Sequence, residues 1–158
     1  MRDCSWVNGR FENLALTGFN PVADCTSDRT IDKPIHHNCI AWAAGNETQW
    51  WWPWDLAGYY WPEGLPKELP STETVKNFVD AFKSIGYEEC DNGAYEAEYE
   101  KIAIFVNAKN TPTHAARSLP DGTWTSKLGE GEDIRHASPA GLEGREYGRV
   151  VAFLRRRW

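Results

Sequence analysis

The sequence lacks the features that mark a membrane-spanning protein or a secreted precursor. No stretch approaches the roughly 20 consecutive apolar residues that are needed to cross a bilayer. The first residues, Met1 to Trp6, contain no apolar segment of the kind found in a secretory signal. We therefore expect a cytoplasmic protein, or one exported by a route without a signal, and we expect no membrane partner.

An excess of positive charge is also missing. The chain has 17 Lys and Arg residues against 23 Asp and Glu residues, and its formal net charge is −6. Nonspecific binding of nucleic acid needs a cationic surface that displaces counterions from the phosphates. The basic run Arg155–Arg157 is short and ends an apolar segment, so we interpret it as the solvated end of a strand. The composition thus argues against a nucleic-acid partner.

The cysteines do not form a metal-binding motif. They stand at positions 4, 25, 39 and 90, with no Cys-x-x-Cys pair. His36 and His37 precede Cys39, but His-His-x-Cys is not a familiar ligand spacing. We therefore predict neither a metal nor another cofactor. We expect reduced thiols, and a bridge between Cys4 and Cys25 is the only disulfide that we consider.

Aromatic residues, by contrast, are abundant. Nine tryptophans and 41% hydrophobic residues indicate a folded chain, and 158 residues suit one domain. Residues 50–62 are the most aromatic part, and their prolines predict a rigid loop. These rings either form core and lid, or line a groove where they stack on sugars or peptides. Our candidates for substrate binding are Asn38, Trp51, Trp52 and Trp54.

The hydrophobic pattern predicts an α+β domain that occupies residues 1–158. Asn38 is a good cap for a short apolar helix that Gly45 ends, and residues 71–85 have clear helical periodicity. Strand candidates follow at residues 87–90, 101–106, 113–119, 123–128 and 147–154, with a polar loop over 129–144. We expect two main helices packed on a mostly antiparallel sheet of about five strands. Residues 1–34 are expected to be an irregular wrap.

Cys39 and His114 are the candidates for chemistry. A cysteine in the first turn of a buried helix lies near unpaired N–H groups, which favour the thiolate. Attack on a carbonyl also needs a base, and His114 begins a predicted strand after the central one. Each residue has an ordinary alternative, since Cys39 can be a small buried apolar residue and His114 a structural histidine.

The order of four segments resembles the NlpC/CHAP branch of papain-like peptidases and amidases. The segments are residues 38–43, 100–105, 114–126 and 147–156. The resemblance implies a papain-like core over residues 38–156, with Cys39 as nucleophile and His114 as general base. The third catalytic group falls on Ser126, where that family usually has His, Asn, Gln or an acid. Asp133 or His136 in the following loop are alternatives.

Part of the sequence, notably residues 38–43 and 119–129, also resembles an uncharacterised bacterial domain family. That second resemblance implies a fold but no activity. Our leading hypothesis is a cysteine hydrolase that cleaves an amide bond in a peptide, in peptidoglycan or in an isopeptide. By analogy such a domain is a possible antibacterial effector, with an immunity or partner protein that is unknown. The alternative is a non-catalytic binding domain that uses the tryptophan-rich loop, and a transferase or deamidase with the same residue pair is a third hypothesis.

Overall fold

The computed structural model describes residues 10–11, 37–55, 57–68, 71–128 and 133–158. These residues form helices α1 and α2, a short 3-10 helix and strands β1 to β8. The helices are α1 Cys39–Ala43, α2 Val75–Lys83 and the 3-10 helix Pro139–Leu142. The strands are β1 Trp50–Trp51, β2 Tyr59–Tyr60, β3 Glu88–Cys90, β4 Tyr99–Val106, β5 Pro112–Ser118, β6 Trp124–Lys127, β7 Asp133–His136 and β8 Arg149–Arg157.

Most of the described strand residues belong to one antiparallel sheet with the strand order β3-β8-β4-β5-β6-β7. A separate pair, β1 and β2, is parallel. The prediction of an α+β, papain-like (NlpC/CHAP-like) fold, with two main helices on about five strands, is therefore wrong, because the domain is mostly β. The polar loop predicted over residues 129–144 contains β7 and the 3-10 helix. No described helix has the length and apolar composition that a bilayer-spanning segment needs.

Local capping explains why both helices are short. Asn38 Oδ1 accepts a hydrogen bond from the Ala41 N–H at 3.1 Å, and Gly45 after the helix has a positive φ of 78°. Helix α2 is capped by Thr74, whose side chain accepts a hydrogen bond from the N–H of Asn77. The predicted start lies earlier, but the Thr72 hydroxyl donates to the Pro53 carbonyl at 3.1 Å instead. Helix α1 thus has five residues and α2 has nine.

Each face of the sheet carries its own hydrophobic core. The core between the sheet and the two helices includes Phe78 of α2 together with Ile104 and Ala115 of the sheet. The opposite face includes Phe105 and Ala116, with Trp124, Leu142 and Tyr147. Because successive side chains of a strand point to opposite faces, His114 lies on the face away from the helices. This division decides the geometry of the candidate site.

Of the predicted N-terminal wrap, only Arg10 and Phe11 belong to the described residues. Phe11 is buried in the core opposite the helices, and its ring centroid lies 5.5 Å from that of Tyr147. Cys4 and Cys25, the pair considered for a disulfide, lie outside the described residues. Cys39 and Cys90 both carry free thiols.

Candidate functional site

Cys39 contacts the backbone of the predicted base. It opens α1 and is only 7% exposed. The backbone N–H groups of Ala115 and Ile40 lie near enough to the sulfur to lower the pKa of its thiol. The N–H of Ala115 belongs to the peptide bond that joins His114 to Ala115. The fold therefore brings the sulfur of Cys39 against the chain at His114.

The imidazole of His114 packs against other rings and makes no hydrogen bond with that sulfur. The ring is fully buried, with its centroid 5.2 Å from the Phe105 ring and 4.0 Å from the Tyr147 ring. Neither ring nitrogen of His114 has a hydrogen-bond partner among the residues that the structure describes. Cys39 and His114 are thus neighbours through the backbone, but they do not form a hydrogen-bonded pair in this state.

Burial keeps both groups neutral. It raises the pKa of the Cys39 thiol to about 11, and the nearby backbone N–H groups offset only part of that rise. Burial also lowers the pKa of His114 well below 6.5, and the charges of His136 and Arg10 lower it further. The expected bias towards thiolate is outweighed by desolvation at the start of a five-residue helix. At neutral pH the pair is a thiol beside a neutral imidazole.

Ser126 bonds to a different histidine. Its Oγ lies 2.9 Å from His136 Nε2, and His136 Nδ1 lies 2.8 Å from the Ser138 carbonyl oxygen. A carbonyl can only accept, so Nδ1 carries the proton and Nε2 accepts from the Ser126 hydroxyl. The predicted third group is therefore bonded to His136 and not to His114. His136 belongs to β7 rather than to a loop, and burial lowers its pKa to about 4.

Asp133, the other alternative for the third group, forms an ion pair on the opposite face of the sheet. Its Oδ1 lies 3.2 Å from Lys127 Nζ, and both residues are buried. Lys127 follows Ser126 in β6, so the two side chains point to opposite faces. Asp133 is consequently separated from His114 by the sheet.

The residues predicted to bind substrate have divergent environments. The Asn38 amide makes one hydrogen bond to Ala41 and two to the backbone of Trp51, at 3.1 and 2.7 Å, so it fastens α1 to β1. Trp51 is buried in the core, and Trp52 is half-buried with its Nε1 donating to Glu73 Oε1 at 2.9 Å. Trp54 is 39% exposed. Of the four predicted residues, Trp54 is the one whose ring is available to a ligand.

A metal site next to Cys39 would need the two histidines that precede α1, His36 and His37. The ring of His37 stacks on Trp42, with centroids 5.7 Å apart and planes inclined by 24°. His36 lies outside the described residues. Across the described ranges, no three His, Cys, Asp or Glu side chains are grouped as metal ligands.

Comparison with known proteins finds one family whose model matches this chain. The family described as a domain of unknown function, DUF7689, matches residues 26–155. The chain belongs to this family. No curated protein and no solved structure is detectably similar to it. Membership in DUF7689 assigns no activity, so the function of this DUF7689 domain has to be argued from the chemistry of its site.

The DUF7689 domain also has a residue at the site that the sequence pattern does not single out. Tyr147 covers one face of His114, and its hydroxyl is buried without a partner among the described residues. Gly148 follows it with φ of 81°, and a Cβ there would lie 1.9 Å from the Val106 carbonyl oxygen. Glycine at position 148 permits both the positive φ and this close approach, because it has no Cβ. The stacking on His114 is a tertiary contact and has no local signal.

Proposed function

We propose that this protein is a cysteine hydrolase that cleaves an amide bond, with Cys39 as nucleophile and His114 as general base. The observation that supports the proposal is a fully buried imidazole with two unpaired nitrogens, next to the peptide bond that the Cys39 sulfur contacts. A buried polar group without a partner costs about 1–3 kcal/mol, and folded proteins contain few of them. A role of His114 in proton transfer would explain why its buried imidazole has no hydrogen-bond partner.

Catalysis requires the imidazole to approach the sulfur when substrate binds, because hydrogen bonds between catalytic groups are often completed only in the substrate complex. A nitrogen of His114 then accepts the thiol proton while the sulfur attacks the carbonyl carbon. A C–S bond forms, and the π electron pair of the carbonyl moves to oxygen. Collapse of this intermediate breaks the C–N bond, and the amine leaves with the proton from His114. Water then hydrolyses the thioester, again with His114 as base.

The proposed substrate is an amide carbonyl of a peptide, of peptidoglycan or of an isopeptide bond. These three share the reaction just described and differ only in the groups around the carbonyl. A transferase or a deamidase would use the same two residues with a different acceptor or a different leaving amine. The exposed ring of Trp54 offers a flat surface on which sugar or peptide groups of such substrates stack.

Acetylation by p-nitrophenyl acetate tests the Cys39–His114 pair without knowledge of the natural substrate. General-base assistance contributes about 10²–10⁴-fold, so we expect Cys39 to be acetylated at least about tenfold faster than half-buried Cys90 at pH 7.5. The site of acetylation is read from the mass of the intact chain and of its peptides. Cys39→Ala removes the fast phase, and Cys90→Ala retains it.

The histidine is tested by two variants of different size. We expect His114→Ala and His114→Phe each to slow acetylation of Cys39 by about 10²-fold. His114→Phe keeps a ring against Tyr147, so a loss in that variant does not reflect a cavity. Near-UV circular dichroism verifies that both variants are folded. Equal rates at Cys39 and Cys90, or no effect of either substitution, would exclude the hydrolase.

A second candidate function is ligand binding at an aromatic surface formed by Trp50, Trp54 and Tyr59. The Tyr59 ring centroid lies 5.1 Å from that of Trp54 and 6.5 Å from that of Trp50. Thr72 fixes the loop through its bond to the Pro53 carbonyl. A surface held in place in this way binds with little ordering cost.

Fluorescence titration with soluble peptidoglycan fragments tests this second function. Binding that is lost in Trp54→Ala but kept in Cys39→Ala, together with failure of the acetylation test, would favour a non-catalytic binding domain. Trp158→Ala is the matched control, because this tryptophan is also exposed and lies outside the aromatic surface. Unchanged binding in Trp54→Ala would exclude the surface as the binding site.

A further inference from the structure

The hydroxyl of Tyr147 is a buried donor that the structure leaves without a role. Tyr147 is 8% exposed, and its hydroxyl has no hydrogen-bond partner among the described residues. Its ring lies parallel to His114, with planes inclined by 6°. Its carbonyl accepts a hydrogen bond of 2.5 Å from the hydroxyl of Thr113, the residue before His114. Side chain and main chain together fix Tyr147 to the strand that carries the proposed base.

We infer that the Tyr147 hydroxyl donates a hydrogen bond to the negative charge that forms on the substrate carbonyl oxygen when Cys39 attacks. This inference rests on the proposed hydrolase function. Acyl transfer places a full charge on that oxygen, and a preorganised donor in a buried site stabilises it strongly. The hydroxyl has no bond within the described structure that must break before it donates.

The protonation state of Tyr147 is compatible with this role. Burial raises the pKa of the Tyr147 hydroxyl, and the negative charge of a Cys39 thiolate raises it further. The group is therefore protonated at neutral pH and able to donate.

The substitution Tyr147→Phe tests the role of the hydroxyl separately from the role of the ring. The variant keeps the stacking on His114 and removes only the oxygen, which has no partner to lose. Loss of one donor to a tetrahedral intermediate costs about 10²–10³-fold in rate. A purely positioning role of the ring predicts no such loss, because the ring remains.

Two reagents applied to the full chain distinguish these roles. p-Nitrophenyl acetate reacts through a tetrahedral oxyanion, whereas iodoacetamide alkylates sulfur by direct displacement without one. We expect Tyr147→Phe to slow acetylation of Cys39 by about 10²-fold and to leave its alkylation within about twofold of the unsubstituted chain. Tyr87→Phe is the control, since this buried hydroxyl donates to Glu100 at 2.8 Å in the other core. It should change neither rate.

Each other outcome overturns the inference and separates it from the hydrolase proposal. Equal slowing of both reactions in Tyr147→Phe would make Tyr147 a positioning residue for His114. Unchanged rates in both reactions would leave the hydroxyl without a catalytic role. In either case a slow His114→Phe variant keeps the hydrolase proposal intact. If neither His114→Phe nor His114→Ala slows acetylation of Cys39, the hydrolase proposal itself fails, and the inference fails with it.

Discussion

The rings of His114 and Tyr147 lie face to face, with centroids 4.0 Å apart and planes inclined by 6°. The stack buries both rings against Phe105, but both ring nitrogens of His114 and the hydroxyl of Tyr147 are left without partners in the described structure. His136, by contrast, has a partner for each of its nitrogens. We therefore expect replacement of these two buried histidines to change the free energy of unfolding in opposite directions.

Replacing each histidine by phenylalanine should shift stability in opposite directions. His114→Phe removes two unpaired buried nitrogens and keeps an aromatic ring, so we expect the free energy of unfolding to rise by about 1–2 kcal/mol. His136→Phe removes two made hydrogen bonds and leaves Ser126 unpaired, so we expect a fall of about 1–3 kcal/mol. Urea unfolding measures both. A loss of stability in His114→Phe as large as in His136→Phe would contradict the unpaired state of His114.

The hydrogen bond between Ser126 and His136 should contribute measurably to stability. Ser126→Ala leaves the buried His136 Nε2 without its donor, which should lower the free energy of unfolding by about 1–3 kcal/mol. Ser138→Ala is a matched control, because Ser138 bonds His136 through its backbone carbonyl, which the substitution retains. It should stay within about 0.5 kcal/mol of the unsubstituted chain. Equal effects of the two substitutions would show that the Ser126 hydroxyl has no special role.

Stability should fall as the pH is lowered from 7 to 5. The pKa of His136 is about 4 in the fold, against about 6.5 in the unfolded chain, and the pKa of His114 is also depressed. In this window the unfolded chain binds more protons, so the free energy of unfolding falls by up to about 1.4 kcal/mol per pH unit for each histidine. His136 alone should account for about 2 kcal/mol of the loss.

The same measurement on His136→Phe identifies the source of this pH dependence. The groups that face His136 are the hydroxyl of Ser126, the carbonyl of Ser138 and the nearby imidazole of His114. Carboxylates remain ionised above pH 5, so the histidines dominate the slope between pH 5 and 6.5. We expect His136→Phe to reduce that slope by about half, with His114 responsible for the rest. An unchanged slope would show that the pKa of His136 does not differ between the folded and the unfolded chain.

The parts of the fold that follow from local rules were predicted from the sequence. Asn38 caps α1, the helical periodicity predicted over residues 71–85 contains α2, and the strands predicted over 113–119 and 123–128 correspond to β5 and β6. Strand β7 was missed because two of its three buried side chains, Asp133 and His136, are polar and pair with β6, as Asp133 does with Lys127. Such a strand lacks the apolar alternation by which strands are recognised.

The candidate site likewise has features that follow from the local sequence and features that depend on tertiary contacts. The position of Cys39 at a helix start follows from its local sequence, whereas the direction of the His114 ring depends on which face of the sheet the helices cover. Hydrogen bonding of Ser126 to His136 likewise requires the pairing of β6 with β7, which no local pattern specifies. Contacts between distant segments thus determine which side chains of the site can interact, and the local sequence does not specify these contacts.

Gly148 is predicted to be indispensable for the placement of Tyr147. Its φ is 81°, and a Cβ at this position would lie 1.9 Å from the backbone carbonyl oxygen of Val106, the last residue of β4. We expect Gly148→Ala to lower the free energy of unfolding by at least about 3 kcal/mol, since the backbone of β4 cannot move aside. Gly58→Ala is the control, because φ is also positive there, at 94°, but a Cβ meets nothing within 4 Å. That substitution should cost about 1–2 kcal/mol, the penalty for a left-handed conformation alone. Urea unfolding compares the two variants, and equal losses would mean that the turn at Gly148 relaxes freely and does not hold Tyr147 against His114.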